Sequence, residues 1–136
     1  MEFAGVNYVA VLIAAVAGFL IGWPWYRAFG RAWAQAAGLD PETAAEPGPR
    51  PFLILALSQL LMAGMLAGVI GHLGKGQVTL LNGVISGAFI WVGFVATTLA
   101  TNYAFQRRPA ALALIDGGYY LAVLIVQGAI IGALGV

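Results

Sequence analysis

Residues 3–26 read FAGVNYVAVLIAAVAGFLIGWPWY, an unbroken uncharged run between Glu2 and Arg27. A bilayer core of ~30 Å takes roughly 20 apolar helical residues. The run is long enough to span it. It is too long for the apolar segment of a secretory signal peptide, and Glu2 is acidic where such a leader is basic. A retained transmembrane helix is therefore expected over about residues 6–26. Pro24 should kink or end it, because proline lacks a backbone donor and clashes one turn back.

Outward from this run the pattern repeats. Residues 27–50 hold Arg27, Arg31, Asp40, Glu42, Glu46 and Arg50 and form the one substantial loop. Three further uncharged or nearly uncharged stretches predict spans at about 51–71, 79–104 and 111–134. Tight turns at His72–Gly76 and at Arg107-Arg108-Pro109 separate them. The loop begins RAFGRAWAQAAG, with Phe29 and Trp33 one turn apart and Arg27 and Arg31 spaced alike. That spacing predicts a short interfacial helix. Asp40-Pro41-Glu42 then resembles a helix start.

Composition supports the same solvent. The chain is 62% hydrophobic and 8% charged, against about 25% charged in a typical soluble domain. Mean hydropathy is +0.93. A soluble chain of this size could not bury so much apolar surface. The expected fold is all-α: one transmembrane domain over residues 1–136, a four-helix bundle with a short interfacial helix between its first and second helices.

Other classes are disfavoured. Six dispersed Lys and Arg and a net charge of +1 supply no phosphate-binding patch, so no nucleic-acid partner is expected. There is no cysteine, hence no disulfide or thiolate metal site. His72, the single histidine, lies in a turn, and no metal site is expected. No nucleophile triad, phosphate loop or pair of intramembrane acids is present, so neither enzymatic activity nor a cofactor is expected.

Basic residues in short loops face the cytoplasm. Arg27, Arg31, Arg50, Arg107 and Arg108 fall on one side and Lys75 on the other. Both termini should then lie outside a bacterial inner membrane. Trp23, Trp25, Tyr26 and Trp33 would mark the cytoplasmic interface.

Two kinds of position stand out. Every span holds two glycines four apart: Gly18 and Gly22, Gly64 and Gly68, Gly83 and Gly87, Gly128 and Gly132. Such pairs let helices approach closely, within the chain or between copies. They predict a closely packed outer half. Asp116 is the one acid in a predicted span, and a charge in lipid must be paired, hydrated or protonated. Thr98 and Asn102 are one turn apart on the third helix, and Asp116 and Tyr120 on the fourth. With Tyr103, Trp25 and Tyr26 at similar depth, these residues predict either a polar cavity or a hydrogen-bond network that only fixes the bundle.

The sequence also resembles a known family. Asn7-Tyr8, Gly22, Trp25-Tyr26 and Phe29-Gly30-Arg31-Ala32-Trp33 resemble the start of the bacterial domain-of-unknown-function family 1761. Trp91-Val92-Gly93-Phe94-Val95-Ala96-Thr97-Thr98, Thr101-Asn102-Tyr103, Phe105 and Ile115-Asp116-Gly117-Gly118-Tyr119-Tyr120 extend the likeness over nearly the whole chain. The chain departs from the family pattern at Arg27-Ala28, where a Ser-Pro step is usual, and at Asp116-Gly117, where Asn is common. The resemblance implies a small multi-pass membrane protein and brings no assigned activity.

Two functions follow as expectations. The first is a transporter- or channel-like homo-oligomer, dimer or trimer, with Asp116 responsive to protons or cations in a cytoplasmic-side cavity. The second is a non-transporting module that binds membrane lipid or a partner membrane protein.

Overall fold

The computed structural model describes residues 6–43 and 46–136; the acidic start at Glu2 lies outside them. Four helices are long and apolar enough to cross a membrane: α1 (Tyr8–Ala36), α2 (Pro49–Gly71), α3 (Leu80–Phe105) and α4 (Ala110–Leu134). No strand occurs among the described residues. The chain is an all-helical, multi-pass membrane protein.

The helix starts follow from local chemistry. The Asn7 side chain caps α1 by accepting from Ala10 N at 3.1 Å. Its Nδ2 donates to Leu134 O at 3.3 Å, which ties the start of α1 to the end of α4. Pro49 opens α2, where its missing donor costs nothing. The Thr79 hydroxyl caps α3 through Asn82 N at 3.1 Å.

Two differences from the sequence reading matter. First, α1 continues through Pro24 to Ala36. At 1.5 Å per residue it is roughly 43 Å long, more than the ~30 Å apolar core requires. The stretch expected as a separate interfacial helix is its last turns, and the helix carries Trp33 in rigid phase with Tyr26. Second, Asp40-Pro41-Glu42 forms a turn and no helix. Asp40 Oδ1 accepts from Glu42 N at 2.9 Å, a local bond that competes with helix formation. Nearby Arg31 and Glu42 form an exposed ion pair at 3.7 Å.

The central element is α4, with α1 and α3 packed along it and α2 against α1. The contact between α3 and α4 is backbone on backbone. A Cβ on Gly83 would collide with the Gly128 carbonyl, one on Gly87 with the Leu124 carbonyl, and one on Gly132 with the Thr79 carbonyl. Only glycine permits that approach. Gly18 faces the Gln59 and Gln127 amides, and Gly22 lies 3.6 Å, measured from a built Cβ, from the Tyr119 ring. The glycines of α2 behave differently. Gly64 and Gly68 meet nothing within 4 Å, so they bring no helix close within this chain.

The buried cluster sits at one end. Ala14, Ala15, Ala63, Leu66, Ala67, Ile70, Leu124 and Ile131 form it, with Val78 and Ile130 packed against it. The buried residues of α2 begin only at Gln59. Those of α3 are Gly83 and Gly87, both before its midpoint. The bundle is thus tight where α1 begins and α4 ends, and loose where α4 begins.

Candidate functional site

Asp116, about two turns into α4, sits at the loose end and gathers three helices. Its Oδ1 accepts from Tyr26 Oη at 2.6 Å and from Trp33 Nε1 at 3.0 Å, both on α1. Its Oδ2 accepts from Tyr103 Oη on α3 at 2.7 Å. Tyr26 and Trp33 are seven residues apart, two helical turns, so both reach α4 from one face. Their rings also meet edge to face, centroids 6.4 Å apart. Arg108 donates to Ala37 O at 3.3 Å instead of pairing with Asp116. The ion pair found among the described residues is the remote Arg31–Glu42 contact.

The residues around Asp116 each receive a partner. Trp25 Nε1 donates to Ile115 O at 3.0 Å, and Trp91 Nε1 to Gly117 O at 2.7 Å. A Cβ on Gly118 would lie 2.7 Å from the Trp25 ring, so that glycine makes the seat for the indole. Tyr119 donates to Gly18 O at 3.0 Å. Tyr120 packs on Tyr119 with ring centroids 5.0 Å apart.

A π-helical turn sets the face that α3 presents. Residues Trp91–Ala96 are wound wider than the α-helical stretches before and after them. A π-turn adds a residue to the turn and so delays the rotation by about 100°. In a regular helix Thr98 and Asn102 would continue the face begun by Gly83 and Gly87. With the delay, Leu99 and Tyr103 take that face. Leu99 lies 3.7 Å from a Cβ built on Gly117. Thr98 and Asn102 are exposed. The Thr98 hydroxyl returns to the Phe94 carbonyl of its own helix at 2.5 Å. Of the expected site residues, Asp116, Tyr103, Tyr120, Trp25 and Tyr26 come together; Thr98 and Asn102 do not.

A cavity of about 1000 Å³ opens beside this cluster, between α1, the splayed start of α2, α3 and α4. Asp116, Tyr26, Tyr103 and Tyr120 line its polar part, and Phe19, Leu20, Phe52, Leu55 and Leu99 its apolar walls. Arg27 and Glu46, of opposite charge, also line it.

Beyond the cavity lies a buried polar layer. Gln127 Nε2 donates to Gln59 Oε1 at 2.8 Å, and Gln59 Nε2 to Tyr119 Oη at 3.4 Å. Both glutamines are fully buried. Gln127 Oε1 has no partner. The sequence reading did not connect Trp33 or Trp91 with Asp116. The signal for Trp33 was its two-turn spacing from Tyr26, usable only once α1 was known to continue.

This arrangement defines a class: a multi-pass helical membrane protein with a carboxylate held by aromatic donors at the loose end of its bundle. The chain belongs to the family described as "Protein of unknown function (DUF1761)", whose sequence profile matches residues 9–132. No curated protein and no solved structure matches it.

Proposed function

We propose that the protein is a membrane-embedded binding module for an amphipathic small molecule or lipid, which enters the cavity beside Asp116. The observation that carries this reading is the shape and lining of the cavity. Its volume is about 1000 Å³, its walls are mostly apolar, and its polar groups converge on one carboxylate. Ligand sites combine these features: apolar surface supplies affinity and a few polar groups fix orientation.

Binding fits better than transport. A path through the bundle would have to pass the Gln59–Gln127–Tyr119 layer and then the close contacts of Gly83, Gly87, Gly128 and Gly132. Arg27, Arg31, Arg107 and Arg108 support a cytoplasmic position for the cavity end in this reading.

The test is photo-crosslinking of the chain in membranes with a dodecyl amphiphile that carries a diazirine on its tail. The expected adducts fall on the cavity walls, at Leu55, Leu99 and Phe52, and disappear when Leu99→Trp fills the space. Adducts confined to outward faces such as Phe89 and Leu114, unchanged by Leu99→Trp, would overturn the reading.

A further inference from the structure

We infer that the ligand of this cavity carries a cationic amine, an alkylammonium or quaternary ammonium head, seated between Asp116 and the tyrosine rings around it. This inference rests on the reading of the cavity as a binding site and names the chemistry of its occupant.

The donors around the carboxylate are committed. Tyr26, Trp33 and Tyr103 give theirs to Asp116. Trp25 and Trp91 give theirs to the carbonyls of Ile115 and Gly117. Tyr119 gives its proton to Gly18 O. The acceptors are not exhausted. Asp116 Oδ2 accepts one bond where a carboxylate oxygen has room for two. The phenol oxygens of Tyr26 and Tyr103 have their protons directed at Asp116 and keep lone pairs of their own. A phenol that donates to a carboxylate is also polarised into a better acceptor. An incoming anion or carbonyl would meet acceptors like itself. The Tyr120 hydroxyl, which forms no hydrogen bond among the described residues, is the one hydroxyl beside the carboxylate left to answer it; the Arg27 guanidinium also lines the cavity, with Glu46, of opposite charge, on the same lining.

The rings point the same way. Tyr119 stands between Tyr26 and Tyr120, with centroids 5.5 and 5.0 Å away. Aromatic faces attract cations, most strongly where water is excluded. The charges of Arg27 and Glu46 on the lining oppose one another, which leaves the carboxylate to set the sign. A bare metal ion is a poor match. No group of three or more His, Cys, Asp or Glu that could hold one exists among the described residues, and hard cations need many oxygen ligands. An organic cation needs fewer, and Phe19, Leu55 and Leu99 offer its tail an apolar wall.

The experiment is equilibrium binding to the purified chain in neutral maltoside micelles. Three single-chain amphiphiles of equal tail length are compared, with trimethylammonium, uncharged and sulfate heads. The ammonium compound should bind saturably and roughly thirtyfold tighter than the uncharged one, the size of a desolvated cation–π contact. Asp116→Asn should abolish that preference. Tyr120→Leu, which leaves the hydrogen bonds to Asp116 in place, should weaken the ammonium compound severalfold more than the uncharged one. Equal affinity for all three heads, or preference for sulfate, overturns the ammonium inference while the cavity reading stands. Saturable binding of none of them overturns both.

Discussion

Trp33 and Asp116 stand 83 positions apart in the chain, yet the indole Nε1 donates to the carboxylate Oδ1 at 3.0 Å. The contact requires α1 to continue beyond Pro24 and α4 to bring its acid to the same depth. Trp33→Phe keeps an aromatic ring beside Tyr26 and removes the donor together with part of the indole. Its expected cost is about 1 kcal/mol, in the range of hydrogen bonds measured within membrane bundles. Thermal unfolding in maltoside micelles should show a midpoint lower by a few degrees. An unchanged midpoint would mean that the bond does not hold α1 to α4.

The glycines should divide into two groups. Gly83→Ala and Gly128→Ala each place a Cβ against the opposing backbone carbonyl. The helices must then separate, at a cost of about 1–3 kcal/mol each. Gly64→Ala meets nothing within 4 Å and should be neutral or stabilising by up to ~1 kcal/mol, since alanine is the better helix former. Comparing the unfolding midpoints of the three variants checks this. Equal losses in all three would place an unseen partner on α2.

Gln59 and Gln127 make an asymmetric pair. Gln59→Leu strands Gln127 Nε2 in the core, beside an Oε1 that already has no partner, and should cost about 1–3 kcal/mol. Gln127→Leu strands only Gln59 Oε1 and also removes the unpartnered Gln127 Oε1. It should cost less. The double leucine variant should recover most of what Gln59→Leu loses, because replacing both partners by apolar groups can be nearly neutral. A double-mutant cycle on unfolding free energies measures the ordering.

The π-turn of α3 gives a register test. Deleting Val92, an exposed residue within it, should restore a regular helix and rotate the following turns by about 100°. Cysteines placed at Leu99 and Gly117, where the Leu99 side chain lies 3.7 Å from a Cβ built on the glycine in the native register, should crosslink in the full chain and fail to do so after the deletion. A crosslink that survives would show that the π-turn does not set the face of α3.

Much of this was legible in the sequence, and the limits have physical causes. Charge spacing alone located α2 and α4 to within two residues, because lipid forces every span to be apolar and helical. The close packing of Gly83 and Gly87 on Gly128 and Gly132 followed from the same residues. The end of α1 did not, because Pro24 removes one hydrogen bond and a long membrane helix can absorb that loss. Thr98 and Asn102 were grouped with Asp116 on the assumption of an unbroken 3.6-residue period. The turn at Trp91–Ala96 breaks that period, and no proline or charge marks it. The partnership of Gln59 and Gln127 depends on which faces of α2 and α4 meet, which spacing along either helix leaves open.

The bundle is loose and accessible beside Asp116 and closed two turns beyond, at Val123. The natural chain has no cysteine, so single-cysteine variants report directly. Leu99→Cys lines the cavity, and Val123→Cys lies in the closed layer, where Val123 is 0% exposed. The measurement is the rate of reaction of each with a small methanethiosulfonate reagent in intact membranes. Rapid reaction is expected at position 99, slowed by a dodecyl amphiphile, and none at position 123 until the protein is denatured. Protection at both positions, or reaction at position 123 in the folded protein, would contradict that expectation.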